Sequence, residues 1–262
     1  MDFIHKHQSE FANGAGFSPG LWKNFPVYEL LGPMGLNAGV LLYDDFASVG
    51  ATGNGYLMLA GGTATVAQID GIGGLLQLFT TADNDEAVVI AGNNTGAPFL
   101  LSSSAPKDLV FEARFKVDSV AASQTDIFVG LAEAGCGTTD LLFTDADAMA
   151  DNDFIGFHRI AAGTTGLTLG YKRSGQAAQT KADVGTLAAD TFIKAGFRLD
   201  ALAKTITPWI NGVEKPASKI TAAQFAAATF PNDYLTLCAG AKGIDAGDHS
   251  LTLDWWACAQ VR

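Results

Sequence analysis

The sequence is poor in basic residues. Its 262 residues contain 16 Lys and Arg against 27 Asp and Glu, which gives a formal net charge of −11 at pH 7. Nucleic-acid binding relies on clustered Lys and Arg to neutralise phosphates, and no such cluster occurs in the sequence. Long apolar runs are also missing, since none approaches the roughly 18 residues that a membrane-spanning helix needs. We therefore expect neither a nucleic acid nor a membrane as a partner.

Cysteine and histidine are scarce as well. The three cysteines, Cys136, Cys238 and Cys258, are widely spaced, and two of them lie within apolar strand patterns. This placement favours buried, reduced thiols over a disulfide or a metal site. The four histidines have no zinc-ligand spacing, either among themselves or with the cysteines. We therefore predict no metal and no cofactor.

The N-terminus shows no secretory signal. The first residues, MDFIHKHQSEFANG, have neither the basic start nor the apolar core of such a signal. We therefore expect the chain to be made and folded in the cytosol, an environment that keeps cysteines reduced.

What the sequence does contain is a repeated β-strand pattern. In residues 109–117, LVFEARFKV, apolar residues alternate with polar ones, as in a strand with one buried and one wet face. Residues 192–214 continue this pattern and contain Asn211-Gly212, a preferred pair for a two-residue type I′ hairpin turn. The hydrophobic fraction of 48% and the thirty glycines agree with many short strands joined by turns.

The same alternation predicts further strands, and a capping signal predicts one helix. The strands lie at residues 40–46, 56–59, 64–69, 75–80, 87–90, 127–132, 154–160, 167–173, 234–239 and 250–261. The helix begins after Thr221, whose partner Gln224 completes a capping box, and its alanine-rich run ends before Pro231. Because no internal repeat or linker follows residue 40, residues 41–262 are predicted to form one domain.

Residues 1–40 differ from this pattern. Their aromatic residues are scattered among glycines and prolines without a sustained period, which predicts an extended arm. Such a segment cannot build a core of its own, so its rings must be buried on another surface. Either the arm packs back on its own domain as an extra strand, or it docks on a partner subunit, and the second is our working hypothesis. The aromatic residues expected to contact the partner are Phe3, Phe11, Phe17, Trp22, Phe25 and Tyr28.

The order of the strands resembles a known architecture. The segments DDF, GGLLQLFT, LVFEARFKV, IFVGLAEA, DFIGFHR, LTLGYKR, FIKAGFRLD, ITPWINGVE and LTLDWWACAQV follow one another as in the concanavalin A-like lectin/glucanase sandwiches. The resemblance covers residues 41–262 and implies an all-β fold, a two-sheet antiparallel jelly-roll sandwich with an extended N-terminal arm and one short helix. More narrowly, the chain is similar to versions of this sandwich carried by structural proteins of tailed phages.

The phage resemblance implies a function. Comparable proteins decorate or cement phage heads, with an arm that clamps the shell and a sandwich that projects outward. By this resemblance the chain is expected to be a non-enzymatic capsid decoration or cement protein, made in the host cytoplasm and located on the capsid surface of the virion. Its partner would be the major capsid protein, contacted through residues 1–40. It would form a homo-oligomer, for which a trimer at local threefold positions is one arrangement.

Two rival functions belong to the same fold. The glucanase branch carries a Glu-x-Asp-x-(x)-Glu signature, and retaining chemistry needs two carboxylates about 5 Å apart. Glu112 and Glu133 stand outside any such spacing, so we predict no catalytic residues and no enzymatic activity. The lectin branch is the alternative, a carbohydrate-binding module in which exposed Trp209, Trp255 or Tyr171 would stack on a sugar.

The acidic run at residues 145–153 is the remaining candidate site. Its alternating aspartates could supply oxygen ligands to Ca²⁺. An EF-hand loop, however, needs Gly at its sixth position and Glu at its twelfth, where this chain has Ala150 and Gly156. A solvated acidic loop is therefore favoured over a calcium site.

Overall fold

The architecture is given by a computed structural model of the chain. It describes residues 16–23, 25, 39–47, 56–60, 63–71, 74–81, 87–91, 96–136, 143, 148–160 and 166–261. Among these residues occur two short helices, α1 (Pro19–Trp22) and α2 (Ala222–Phe225), and a 3-10 turn (Pro216–Ser218). Neither helix in this part of the chain has the length and apolar character needed to span a bilayer.

Strands make up most of the described chain. They are β1 (Gly39–Asp44), β2 (Leu57–Ala60), β3 (Thr65–Ile69), β4 (Leu75–Thr80), β5 (Ala87–Ala91), β6 (Phe99–Leu100), β7 (Leu109–Val117), β8 (Thr125–Glu133), β9 (Phe154–Arg159), β10 (Gly166–Lys172), β11 (Gln179–Thr186), β12 (Ile193–Asp200), β13 (Thr205–Ile210), β14 (Val213–Glu214), β15 (Tyr234–Gly243) and β16 (His249–Val261). They form two antiparallel sheets, which we call sheet A and sheet B, each with eight described strands.

The two sheets pack face to face. Sheet A has the order β14-β13-β12-β7-β16-β4-β3, and β1 pairs with the C-terminal half of β16. Sheet B has the order β11-β10-β9-β8-β15-β5-β2, and β6 pairs with the start of β15. Strands that follow one another in sequence, such as β7 and β8, often lie in different sheets, so the chain crosses repeatedly between them. The predicted all-β, two-sheet antiparallel sandwich is confirmed.

The inner faces of the sheets meet in one core. The rings of Phe111 on β7 and Phe197 on β12 stack with their centroids 5.2 Å apart. Phe157 of sheet B lies 6.2 Å from Phe197, which joins the two sheets at this point. Trp256 of β16 is also fully buried in this core, whereas Trp255 points to the outer face of sheet A. The core therefore follows directly from the period-two alternation of the sequence.

The predicted strands agree with the observed ones, but two observed strands, the edge strand β11 and the two-residue strand β6, were not predicted. Strand β11, with the sequence QTKADVGT, was not predicted because it lies at the edge of sheet B and most of its side chains are at least partly exposed. The two-residue strand β6 was also not predicted, since two residues carry no periodicity.

The helix prediction is confirmed at its start and wrong at its end. The capping box of Thr221 and Gln224 is present, but α2 spans only Ala222–Phe225. The chain turns away from the helix because the Phe225 and Phe230 rings pack with their centroids 4.2 Å apart. This contact places both rings in the core and leaves the rest of the alanine-rich run outside the helix.

The central hairpin has the predicted turn. Asn211 and Gly212 have φ angles of 50° and 78°, as a type I′ turn requires. The side-chain oxygen of Asn211 also accepts a hydrogen bond from the backbone N–H of Lys194, at 2.9 Å. The turn is therefore fastened to the neighbouring strand β12 as well as closing its own hairpin.

Replacing Phe197 with alanine tests this account of the core. Because Phe197 contacts rings from both sheets, we expect Phe197→Ala to lower the free energy of unfolding by about 3 to 5 kcal/mol, as for other buried aromatic residues. Urea denaturation monitored by circular dichroism measures the loss. Leu202→Ala is the matched control, since Leu202 is 97% exposed, and its loss should stay below about 0.5 kcal/mol. Equal losses in the two variants would contradict the account.

Candidate functional site

A short N-terminal segment lies on the outer face of sheet A. Residues 16–23 and 25, which we call the N-terminal anchor, contain helix α1 and place Leu21 and Phe25 against Val110 and Ala259. Gly196 of β12 makes room for this contact, because a Cβ at that position would lie 2.6 Å from the Leu21 side chain. The anchor therefore covers apolar surface that sheet A would otherwise expose to water.

Glu112 of β7 is buried beneath the anchor and holds it in place. One of its carboxylate oxygens accepts hydrogen bonds from the backbone N–H of Ser18, at 3.0 Å, and from the indole Nε1–H of Trp22, at 2.8 Å. Burial raises the pKa of Glu112, and the hydrogen bonds from Ser18 and Trp22 and the nearby charge of Lys194 partly oppose that rise. A buried carboxylate needs such partners, because an unpaired one is costly to remove from water.

Two cations hold the ends of the anchor. The Lys194 ammonium donates a hydrogen bond to the carbonyl oxygen of Gly16, at 2.8 Å. The Arg198 guanidinium donates one to the carbonyl oxygen of Lys23, at 2.7 Å. Because Lys194 and Arg198 are both on strand β12, the sheet contacts the anchor at its beginning and at its end.

An aromatic cluster completes the contact. The Phe17 ring lies 4.9 Å from Trp22, 5.5 Å from Tyr43 and 5.0 Å from Trp255, measured between ring centroids. The contacts with Tyr43 and Trp255 are edge-to-face, a geometry that aromatic pairs prefer. Trp255 is only 5% exposed, so its outward ring is covered by the chain's own anchor.

The structure therefore places three of the six predicted arm residues on their own domain. Phe17, Trp22 and Phe25 contact sheet A, and they do so from a short helical segment and not from the extra strand that was the other expectation. The remaining three, Phe3, Phe11 and Tyr28, lie outside the described residues. Contact between the arm and a partner subunit stays a prediction.

The rings expected to stack on a sugar are in three different environments. Tyr171 is wrongly predicted to be exposed, because it shares the inward face of β10 with Leu169 and is 1% exposed. Trp255 lies beneath Phe17, and Trp209 is half-buried beside the anchor. These three side chains do not form a common sugar-binding surface.

The outer face of sheet B is filled by its own side chains. The Phe128 ring lies over Gly156, where a Cβ would be 2.6 Å from the ring, and the His158 ring lies over Gly170, where the distance would be 2.4 Å. Further apolar residues from the segment after β8, among them Phe143 and Met149, pack against the same face. The middle of this face therefore forms a second, smaller apolar core and not an open groove.

Polar groups gather at one end of the same face. Asp126 of β8 lies directly opposite Lys242 of β15, and both are buried. At the same end of β9 but on its other face, the Arg159 guanidinium donates hydrogen bonds to the carbonyl oxygens of Thr125 and Ala121, so it holds the turn that precedes β8. Burial lowers the pKa of His158 to about 4, which keeps its imidazole neutral near pH 7. The burial and contacts of these polar side chains indicate that they stabilise the fold.

The carboxylates of the acidic run have structural partners where they are described. One oxygen of Asp153 accepts a hydrogen bond from the backbone N–H of Asn232, at 3.0 Å, and the other accepts one from Ser174. Asp151 accepts one from the N–H of Gly175, at 2.8 Å, which lowers its pKa. No group of three or more His, Cys, Asp or Glu side chains placed to hold a metal occurs among the described residues.

An open cavity of about 490 Å³ lies at the end of strand β3 in sheet A, near Gln68 and Asp70. Another, of about 470 Å³, lies at the other end of sheet B, where β8 ends and β15 begins, and is lined by Gly96, Glu133, Asp233 and Tyr234. Partial burial raises the pKa of Glu133, a rise that the hydrogen bond from Asp153 opposes and the neighbouring carboxylates increase. Glu112 lies on the other sheet, so the two glutamates considered for glucanase chemistry are not a pair.

Comparison with known proteins identifies the fold. No family model matches the chain, and no curated protein matches it. Among solved structures, the carbohydrate recognition domain of Emp47p superposes with a TM-score of 0.58 at 10% identity, covering 85% of this chain and 95% of that one. Peanut lectin gives a TM-score of 0.56 at 12% identity, with 85% and 97% covered. The endo-1,3-β-glucanase of Streptomyces sioyaensis gives 0.56 at 14%, with 86% and 97% covered.

These neighbours are lectin-like and glucanase-like sandwiches, so the predicted concanavalin A-like fold is confirmed. The fold contains both binding proteins and enzymes. At such low identity the similarity identifies the architecture and not the activity, which must be argued from the residues of this chain.

Removing the Glu112 carboxylate should release the N-terminal anchor. Glu112→Ala loses two hydrogen bonds to a charged group, and each contributes about 1.5 to 3 kcal/mol. We therefore expect trypsin to cleave after Lys23 at least roughly a hundred times faster, since each 1.4 kcal/mol is about a factor of ten in the open population. Mass spectrometry of timed digests measures the rate.

Glu112→Gln is the matched control for this experiment. Its amide oxygen can still accept the hydrogen bonds from Ser18 and Trp22, although without the charge, so cleavage after Lys23 should rise much less than in Glu112→Ala. Cleavage after Lys181, on the distant strand β11, serves as an internal standard and should not change in either variant. An unchanged rate after Lys23 in Glu112→Ala would show that Glu112 does not hold the anchor.

Proposed function

We propose that this chain is a non-enzymatic structural protein of a virion, a capsid decoration or cement subunit that docks on the major capsid protein through its N-terminal segment. The observation that carries the proposal is the N-terminal anchor, which fastens one part of residues 1–40 to the domain by a buried glutamate and an aromatic cluster. Residues 1–15 lie upstream of this fixed point and carry Phe3 and Phe11.

The anchor favours docking by the residues that precede it. A docking segment can hold its domain on a partner only if the segment is itself firmly attached to that domain. Hydrogen bonds from Ser18, Trp22 and Lys194 supply this attachment. The fifteen residues before Gly16 span at most about 50 Å when fully extended. That reach allows contact with a neighbouring shell subunit without displacing the anchor.

The surfaces of the domain also favour a structural role over catalysis. The anchor covers part of the outer face of sheet A, and Phe128, Phe143 and His158 fill the outer face of sheet B. Farther along sheet A, Arg114 forms an ion pair with Asp254 and lies over the Phe192 ring. Many identical copies on a lattice would add weak contacts through avidity, so each docking segment need bury little surface. A homo-oligomer, for example a trimer, would increase this effect.

Co-sedimentation with capsids tests the proposal. The particles are capsids of the phage whose genome encodes the chain, and the variants are the full chain, the chain lacking residues 1–15, and Leu202→Ser as a control on an exposed residue of the domain. We expect the full chain and Leu202→Ser to sediment with the capsids, and the truncated chain to stay in solution with an unchanged unfolding midpoint. Deleting only residues 1–15 keeps the anchor, so sheet A stays covered.

Two outcomes of this experiment would overturn the proposal. Equal binding by the truncated chain would mean that residues 1–15 do not dock. Failure of the full chain to sediment with the capsids, while its circular dichroism shows a folded sandwich, would remove the capsid as its partner.

A second candidate is a carbohydrate-binding module, and the cavity near Tyr234 favours it. Tyr234 is 55% exposed and lies beside Glu133 and Asp233, so a ring for stacking stands next to carboxylates that can accept hydrogen bonds from sugar hydroxyls. Tyr234→Ala would then weaken sugar binding at least tenfold, measured by titration calorimetry with glycans found on a glycan array. Val213→Ala, another exposed apolar residue, is the control. Absence of binding at millimolar sugar would remove this candidate.

A further inference from the structure

We propose that Cys136 and Cys238 form a disulfide when the chain meets an oxidising environment, and that this bond fastens the turn at the end of β8, residues 133–136, to the outer face of sheet B. The two sulfur atoms are 3.2 Å apart, and both residues are buried. A disulfide bond is about 2.05 Å long, so the sulfurs need to approach by only about 1 Å to bond. The wide sequence spacing of the cysteines gave no indication of this contact.

A tight turn brings Cys136 to its partner. The backbone N–H of Cys136 donates a hydrogen bond to the carbonyl oxygen of Glu133, at 3.2 Å, and Gly135 has a φ of 87°, as the third residue of a type II turn requires. The turn places Cys136 over the outer face of sheet B, directly after the end of β8. Cys238 lies on the outer face of β15, between its Cα partners Gly130 and Ala91, which are too small to separate the two sulfurs.

The surroundings of the pair keep it reduced in the cytosol. Its neighbours in the apolar cluster are Phe128, Phe143 and Phe154, and burial together with the adjacent Cys136 raises the pKa of Cys238. Little of the reactive thiolate is therefore present near pH 7, and the reducing pool of a cytosol keeps such thiols as a dithiol. Outside the cell the reducing pool is absent. Disulfides therefore form and persist on surfaces such as those of virions.

A peroxide is the oxidant that suits a buried pair, because it is small. One thiolate attacks the peroxide oxygen, which breaks the O–O bond, gives a sulfenic acid and releases water after proton transfer. The second thiol attacks the sulfenic sulfur, which forms the S–S bond and releases a second water. In total two thiols lose two protons and two electrons, and hydrogen peroxide is reduced to two waters.

The bond would change the stability of the domain. It links residues 102 positions apart, so it restricts the unfolded chain strongly. It would also hold the turn at Cys136 in the apolar cluster that contains Phe128 and Phe154. The disulfide itself does not depend on the proposed function, but its timing, after release from the host cytosol, rests on that proposal.

Thiol counting on the full chain tests the inference. Protein purified under reducing conditions has three free thiols when titrated in denaturant. After treatment with hydrogen peroxide in the folded state, we expect one free thiol, an intact mass lower by two hydrogens, and a tryptic peptide pair that joins Cys136 to Cys238. The unfolding temperature should rise by several degrees and fall back on reduction. The rate should increase with pH, since a raised pKa makes thiolate supply limiting at neutral pH.

Cys258→Ser is the matched control, because Cys258 is also buried but lies on β16 in the other sheet. This variant should oxidise like the unmodified chain, whereas Cys136→Ser and Cys238→Ser should keep both remaining thiols. Three free thiols after peroxide, a link through Cys258, or sulfinic acid in place of the disulfide would each overturn the inference. None of these results depends on capsid binding, so a failure here is distinct from a failure of the proposed function.

Discussion

Each sheet carries an apolar patch on its outer face, and covering these two patches is the constraint on which the rest of the structure depends. A sandwich buries its inner faces automatically, but Val110 and Ala259 on sheet A and Phe128 and Phe154 on sheet B face outward. The chain covers both sets with its own residues, the N-terminal anchor on sheet A and Cys136, Phe143 and Met149, which follow β8, on sheet B. Each cover needs a fixed attachment, which Glu112 supplies on sheet A and the contact of Cys136 with Cys238 supplies on sheet B.

Much of the sandwich could be predicted from the sequence, because apolar and polar residues alternate along a strand that is buried on one face only. Strand β7 was predicted residue for residue for this reason, and the Asn211-Gly212 turn has its own local chemistry. Tyr171 was wrongly predicted to be exposed, although the alternation of β10 puts it on the same face as Leu169, which is buried in the core. The polar edge strand β11 has no comparable signal, because neither of its faces is fully buried.

The candidate sites were less predictable, because they depend on how distant segments meet. Helix α1 has four residues, too few to show a helical period, so nothing in residues 1–40 indicated that Trp22 would donate to Glu112. Glu112 itself looked like one of several wet-face residues of β7. The approach of Cys136 to Cys238 depends on the turn that residues 133–136 make at the end of β8. Similarity to lectin-like and glucanase-like sandwiches describes the shared scaffold, whereas the covers are argued from contacts of this chain's own residues.

The central claim is that one stretch of the N-terminal segment holds the chain's own sandwich while the stretch before it holds the capsid. Electron cryomicroscopy of capsids carrying the full chain tests it most directly. The account predicts residues 16–23 on sheet A, with Trp22 at Glu112, and residues 1–15 in contact with the major capsid protein. Particles in which the sandwich touches the shell by another surface, with residues 1–15 away from it, would contradict the account.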